Sequence, residues 1–388
     1  MISVLSHQQL LSGSRFLRLL SLLILISSMR SQGINSLVSV GPEHPKNTFK
    51  IAVLLPFHND INNSVIDDKR SQAILEYYQG MKIAIQEMDS LNASYEISFF
   101  DTDNDSNQLK QILAKPMLKK MDLIIGPTGK NQVSIVASFC LQNQIPVFLP
   151  MKSLFKERSF NPYVFNLRPS EKMKANRFLS YFKHQYPNRK LVLVRDKGYF
   201  DRTFGESLIQ ACNERNIPLR IINYATEIKW NTFINKPSLI FHTTQDKLKL
   251  NYSVTGLQAV KDSVILIGSD NLMEFNDVDF SQWESLSIQF VSSTKSHIPN
   301  IYLNKMKESY RKNYRDDPSM YALMGYDQLL FSAELLDAFG HSFAEFISDK
   351  CVNYAATDFN FIKTSTCYHN DYLYIYSLRE GQLVIENK

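Results

Sequence analysis

Apolar residues along this chain come in short unbroken blocks separated by helical stripes. The first block, Lys50–Phe57 (KIAVLLPF), is apolar at nearly every position. Such a run suits a strand covered on both faces, as in a parallel sheet sandwiched by helices. In Ser71–Leu91, Ile74, Tyr78, Met81, Ile85 and Met88 recur every three or four residues, which predicts an amphipathic helix. Tyr95–Thr102 reads as a strand, and the polar cluster Asp101–Asn107 opens a short helix. The strand ending in LIIG follows, then a helix over Gln132–Leu141 and a strand over Pro146–Pro150. Alternation of this kind predicts a parallel sheet with right-handed crossovers.

After an extended piece, Tyr163–Ser170, the pattern restarts. Helix Glu171–Gln185 leads to the block Lys190–Asp196, the counterpart of the first strand. Helix Asp201–Arg215 and strands over Leu219–Tyr224, Ser238–Thr244, Val264–Asp270 and Leu286–Ser293 complete a second unit, with a helix over Gln245–Gln258. Two helices close the body. Tyr302–Tyr314 is rich in charge and reads as a solvated face, whereas Met320–Phe339 has a broad apolar face and reads as packed. The tail reads as a β-hairpin turning at Glu380-Gly381, with no partner strand assignable.

Composition agrees with a folded chain. Of 388 residues, 44% are hydrophobic and 21% charged, and the net charge of +5 is too modest to argue for nucleic acid. Before the first strand, Arg15 and Arg18 precede the apolar run Leu19–Met29, and Ser31-Gln32-Gly33 is a small-x-small cleavage site. That is the anatomy of a secretory signal peptide, and the run is shorter than a membrane span of about 20 residues. The long stretch before Arg15 leaves open a start codon downstream of Met1. No cysteine follows the apolar run, so no lipoprotein anchor is expected, and the mature protein is expected to be periplasmic or secreted. An exported chain permits disulfides. Cys351 and Cys367 bracket a short loop and are the candidate pair, while Cys140 and Cys212 lie on apolar helical faces.

Three motifs bear on chemistry. Gly126-Pro-Thr-Gly-Lys130 follows a strand, as a phosphate loop would. But only two residues separate its glycines, and Asn131 stands where the metal-binding hydroxyl should be. What remains is a strand end, a tight turn and a helix N-terminus with free N–H donors. Asp101–Asn107 has acids at calcium-loop spacing. It lacks the glycine at the sixth position and the glutamate at the twelfth, so it reads as a capped strand-to-helix turn. Signatures of serine hydrolases and zinc proteases are missing. No enzyme, cofactor or metal site is therefore expected.

The order of elements resembles the type 1 periplasmic binding proteins, the Leu/Ile/Val-binding group. The stretches that carry the resemblance are KIAVLLPF, YYQGMKIAIQEMDS with Gly80, DLIIGPTGKNQVSIVASFCLQNQIPVFLPMKS, NPYVFNLRPS and GYFDRTFGESL, together covering about 50–339. The resemblance implies two Rossmann-like, three-layer αβα lobes with a ligand cleft between them. The expected organisation is a signal peptide (1–33), a linker (34–49), lobe 1 (50–170), lobe 2 (171–316) and a C-terminal segment (317–388) that returns to lobe 1 and ends in the hairpin. The strand ends that would line the cleft nominate Phe57, His58, Thr128, Gly129, Lys130, Lys152, Ser153, Tyr199, Phe200 and Asp270. Amino-acid binders of this family use a Ser where Gly129 and Lys130 stand, and a Gly where Phe200 stands. Ser153 keeps a hydroxyl, Tyr199 fits its place, and Asp270 is the candidate for a ligand amine. Lys130 and Lys152 point to an anionic group. The resemblance implies a non-enzymatic solute-binding protein or sensor, with a membrane transporter as a further partner. Its alternative is an envelope scaffold of the same fold that binds a protein and no small ligand.

Overall fold

The computed structural model describes residues 48–57, 65–151, 159–225, 228–234, 236–275, 278–348 and 352–387. The leader region, His58, Lys152, Ser153 and Cys351 lie outside them. No helix among the described residues is long and apolar enough to cross a membrane.

The first apolar block forms β1 (Thr48–Leu55), buried from Ile51 to Leu55. It sits inside a sheet because both its faces are apolar and both must be covered. Helix α1 (Val65–Met88) covers one face; β2 (Ser94–Asp101) and β3 (Leu123–Ile125) flank β1 as parallel partners. Between them runs α2 (Ser106–Leu113), capped by Asp105, whose carboxylate accepts from Asn107 N and Gln108 N at 2.7 Å each. Two of the calcium-like acids are thus occupied by backbone donors: Asp101 likewise accepts from Phe57 N and Asp103 N at 2.9 Å. Helix α3 (Val133–Asn143) leads to β4 (Val147–Leu149), and β5 (Val164–Asn166) completes the parallel run.

The second unit repeats the plan. Helix α4 (Glu171–Gln185) is capped by Ser170, and β6 (Lys190–Arg195) takes the central place. Then come α5 (Glu206–Glu214), β7 (Leu219–Asn223), β8 (Ser238–His242), α6 (Lys247–Leu257), β9 (Val264–Ser269) and β10 (Gln289–Ser292). Strands β7, β6, β8, β9 and β10 lie side by side in that order, all parallel.

The chain then returns to the first lobe earlier than 317. Helix α7 (Ile301–Tyr314) has a charged surface, but Leu303, Met306 and Tyr310 form a buried stripe within the first lobe's core. Tyr310 Oη donates to Gln79 of α1 at 2.6 Å, and Lys305 pairs with Glu87 at 2.7 Å. The lobe boundary expected at 316 therefore falls before Ile301, because this stripe packs on α1. Helix α8 (Met320–Phe339) is buried along most of its length, as its apolar sequence predicts. It crosses α1 closely through two glycines: a Cβ on Gly80 would meet Ala322 O at 1.8 Å, and one on Gly325 would meet Tyr77 O at 1.9 Å.

Two short strands, β11 (Val352–Asn353) and β12 (Asp358–Phe359), pair with each other. Then β13 (Phe361–Lys363) and β14 (Tyr368–Asn370) extend the first sheet beyond β5. The predicted hairpin exists as β15 (Tyr374–Arg379) and β16 (Gln382–Ile385). It belongs to the second lobe, not the first: β15 pairs antiparallel with β10, matching Phe290 to Tyr376. The reason is burial. Tyr374, Ile375 and Tyr376 pack into the second lobe's apolar clusters. Each sheet thus has seven strands, and the chain crosses between lobes after β5, after β10 and after β14.

Candidate functional site

Both sheets bring the carboxyl ends of their strands toward the crossovers, where ligands of open α/β sheets bind. In the first lobe, the loop after β3 turns at Gly126, whose φ of 104° is in the region that favours glycine. A Cβ there would strike Leu54 O at 2.2 Å. The turn continues through Thr128 and Gly129 into a single 3-10 turn, Lys130–Gln132, before α3. Gly129 lets Asn104 approach: an added Cβ would lie 2.1 Å from its Oδ1. Asp103 and Asn104 themselves hold φ near +46° and +49°, as short polar side chains can.

These loops surround a pocket of about 550 Å³ lined by Thr128, Gly129, Lys130, Asn104, Arg70 and Met151, among others. Two cations, Arg70 and Lys130, face it and are exposed. Among the described residues, no carboxylate lines it and neither cation makes an ion pair. Of the nominated residues, Thr128, Gly129 and Lys130 are thus brought together. Phe57 is not part of this wall: it packs edge-on against Tyr78 at 5.5 Å, and Pro56 lines the pocket instead.

In the second lobe, the turn after β6 is held by Asp196, whose Oδ1 accepts from Gly198 N at 2.8 Å. Arg195 grips the buried Asp201 through Nε at 2.9 Å and also reaches Glu206. These acids hold Arg195 in its charged form, their pull outweighing the opposing effect of its burial. Tyr199 projects from this turn and is 67% exposed. Phe200 departs from expectation. It is buried and stacked on Phe204 at 5.1 Å and against Phe241 at 6.2 Å, because the helical turn after it points the ring into the lobe's core.

Asp270, the candidate for a ligand amine, is engaged within the protein. Its Oδ2 accepts from Ser292 Oγ at 2.8 Å, and its charge acts on Arg168. Arg168 lies in the first crossover and donates to Ser293 Oγ of the second at 2.8 Å. Burial lowers the Arg168 pKa, and Asp270, Tyr321 and Glu171 counter it. The sequence reading missed Arg168 and Arg70. Arg168 lies between β5 and α4 and Arg70 in the first turns of α1, and only the folded arrangement shows what they face.

The crossovers are joined by buried polar contacts. Lys295 pairs with Asp358, and its backbone N donates to Ala356 O at 2.7 Å. Asn370 Nδ2 donates to both Leu167 O and Asp358 O, at 3.1 and 3.0 Å. Asp327 of α8 accepts from the backbone N–H groups of Ala355, Ala356 and Thr357. Of the suggested disulfide pair, Cys367 is a buried free thiol. Asn166 Nδ2 donates to its sulfur at 3.1 Å, and His369 Nε2 lies 3.2 Å away. Burial pushes this thiol up to about 11. No group of three or more potential metal ligands occurs among the described residues.

Comparison with known proteins places this geometry. The family described as "Receptor family ligand binding region" matches residues 78–236. No curated protein sequence matches the chain. Among solved structures, it is similar to a putative branched-chain amino acid ABC transporter protein from Rhodospirillum rubrum. That match has 10% identity and a TM-score of 0.62, covering 87% of this chain and 99% of the other. It is similar at 13% identity and a TM-score of 0.60 to the C-domain of LpoA from Haemophilus influenzae, a regulator of PBP1A, with coverage of 87% and 99%. An ABC transporter substrate-binding protein from Desulfitobacterium hafniense, solved with Leu, matches at 17% identity and a TM-score of 0.50, again covering 87% and 99%. At these identities the likeness is one of fold.

Proposed function

We propose that this chain, which has the two-lobed type 1 periplasmic binding protein fold, is an exported, non-enzymatic binding protein that takes a small ligand bearing an anionic group between its lobes. The observation that carries the reading is the first lobe's wall: Arg70 and Lys130 face one pocket, and no carboxylate is among its described lining residues. Charge-assisted hydrogen bonds from such cations are roughly twice as strong as neutral ones. The N-terminus of α3 behind them favours negative charge as well. A free α-amino acid fits less well, because Asp270 is already bonded to Ser292 and faces Arg168. Among the described residues lining the first lobe's pocket there is no acid for an amine.

The test is a thermal-shift screen of the purified protein with dicarboxylates, phosphate esters and neutral amino acids, alongside mass spectrometry of any co-purified molecule. Binding raises the melting temperature by mass action. The expected result is a shift with an anionic compound that Arg70→Glu/Lys130→Glu weakens at least about tenfold, roughly 1.4 kcal/mol or more. A hit whose affinity is untouched by that double variant would overturn the anionic reading.

A second reading, a scaffold for a protein partner, draws on two observations. Phe200 and Asp270 are both committed to internal contacts, which leaves the second lobe few groups for a small ligand. The fold is also that of the LpoA C-domain, a regulator of PBP1A. An empty screen, with no ligand-dependent compaction in small-angle scattering, favours this reading.

A further inference from the structure

The second lobe has a groove at the end opposite the cleft. It lies where β6, β7 and β8 begin, under the C-terminus of α4, and has a volume of about 670 Å³. Volumes of roughly 300–1,000 Å³ are typical of small-molecule sites. Its walls are apolar, formed by Phe182, Ile217, Leu219 and Phe233. Its rim is cationic, with Lys183, Arg189, Lys190 and Arg220, and no carboxylate is among its described lining residues.

The four cations are not neutralised by one another's neighbours. Arg189 Nη1 donates to two backbone carbonyls, Ser263 O at 3.1 Å and Ser238 O at 3.4 Å. Arg220 lies 5.1 Å from the Phe233 ring centroid and donates to Phe233 O at 2.6 Å. These contacts fix the two guanidinium groups in place without cancelling their charge. Lys183 and Lys190 are exposed and make no ion pair among the described residues. A groove with an apolar floor and an uncompensated positive rim is complementary to one kind of molecule: an apolar chain ending in an anion.

We infer that this groove is a second binding site, separate from the interlobe cleft, for an amphiphilic monocarboxylate such as a free fatty acid, its chain on Phe182, Ile217, Leu219 and Phe233 and its carboxylate at the Arg189–Arg220 rim. The carboxylate would be held by charge-assisted hydrogen bonds. The chain would contribute through burial, about fourfold in affinity per methylene covered.

The experiment is calorimetric titration of the purified full-length mature protein with dodecanoate, octanoate, dodecanol and dodecylammonium, each below its micelle threshold. The expected result is saturable 1:1 binding of dodecanoate, weaker binding of octanoate, and at least tenfold weaker binding of the alcohol and the amine. Lys183→Glu/Arg220→Glu should abolish dodecanoate binding, while Lys119→Glu on the first lobe should leave it unchanged. Equal binding of dodecanoate and dodecylammonium, or no saturable dodecanoate binding, overturns the inference; neither result depends on a variant folding. Cosedimentation with phosphatidylglycerol vesicles, lost in the same double variant and unaccompanied by dodecanoate binding, would overturn it in favour of a membrane surface.

Discussion

Glu334, on α8, is a carboxyl whose surroundings oppose its charge. Burial above all raises its pKa, Asp337 and Glu87 add to the rise, and a hydrogen bond from Tyr354 Oη only partly offsets them, so that it stands at about 7. In the unfolded chain a glutamate titrates near 4.3. Between those values the unfolded chain releases a proton that the folded one keeps. This group's contribution is therefore fully present below about pH 4 and is lost as pH rises through about 7. Glu334→Gln keeps an acceptor for Tyr354 and removes the titration. Melting temperatures of the variant, measured from pH 4 to 8, should fall less steeply than those of the parent; parallel curves would refute the assignment. A second residue-scale case is Gly129, where a methyl group would press on Asn104 at 2.1 Å. Gly129→Ala should cost only about 1 kcal/mol in denaturant unfolding, because the Asn104 side-chain tip can swing aside, and should weaken any ligand of the wall that this tip and Lys130 share.

At the level of elements, the apolar blocks were legible because a strand buried on both faces leaves little room for polar residues. β1, β3, β4, β8 and β9 all lie where such blocks predict, within a residue or two. The charged helix α7 was misread, since a stripe of only Leu303, Met306 and Tyr310 is enough to bury one face while Lys and Arg crowd the others. The hairpin was legible, but its partner was not, because pairing between β10 and β15 depends on tertiary context no local pattern encodes. The site divides the same way. Thr128, Gly129 and Lys130 follow from one strand end, whereas the inward turn of Phe200 and the engagement of Asp270 depend on neighbours far away in sequence. The crossing of α1 and α8 gives an element-scale prediction. Gly80→Ala puts a methyl group into the backbone of Ala322, and rigid backbone cannot yield as a side-chain tip can. A loss of about 3 kcal/mol is expected in chemical denaturation, and a neutral result would mean that the two helices can separate.

The whole molecule depends on how its crossovers are joined. Lys295 and Asp358 form a buried pair at the second crossover, with side chains only 9% and 4% exposed. Removing one partner strands the other's charge, so Lys295→Ala should cost about 3–5 kcal/mol. Replacing both by apolar residues of similar size, Lys295→Met with Asp358→Leu, should be far less costly in the same unfolding measurement. If the two substitutions are simply additive, the pair is not coupled.

The three passages between lobes have a further consequence for how the molecule breaks. Strand partners in the first sheet are drawn from far apart in the chain: Asn166 on β5 touches His369 on β14, 203 positions away. Neither lobe is one continuous stretch, so no single cut divides them. A protease that nicks one crossover leaves two intact, and the nicked protein should still elute as one particle, separating into fragments only in denaturant. For the same reason, replacing one lobe with that of a relative would require three junctions to be placed correctly at once. The two halves of the cleft are therefore bound to change together, and neither can be traded as a module.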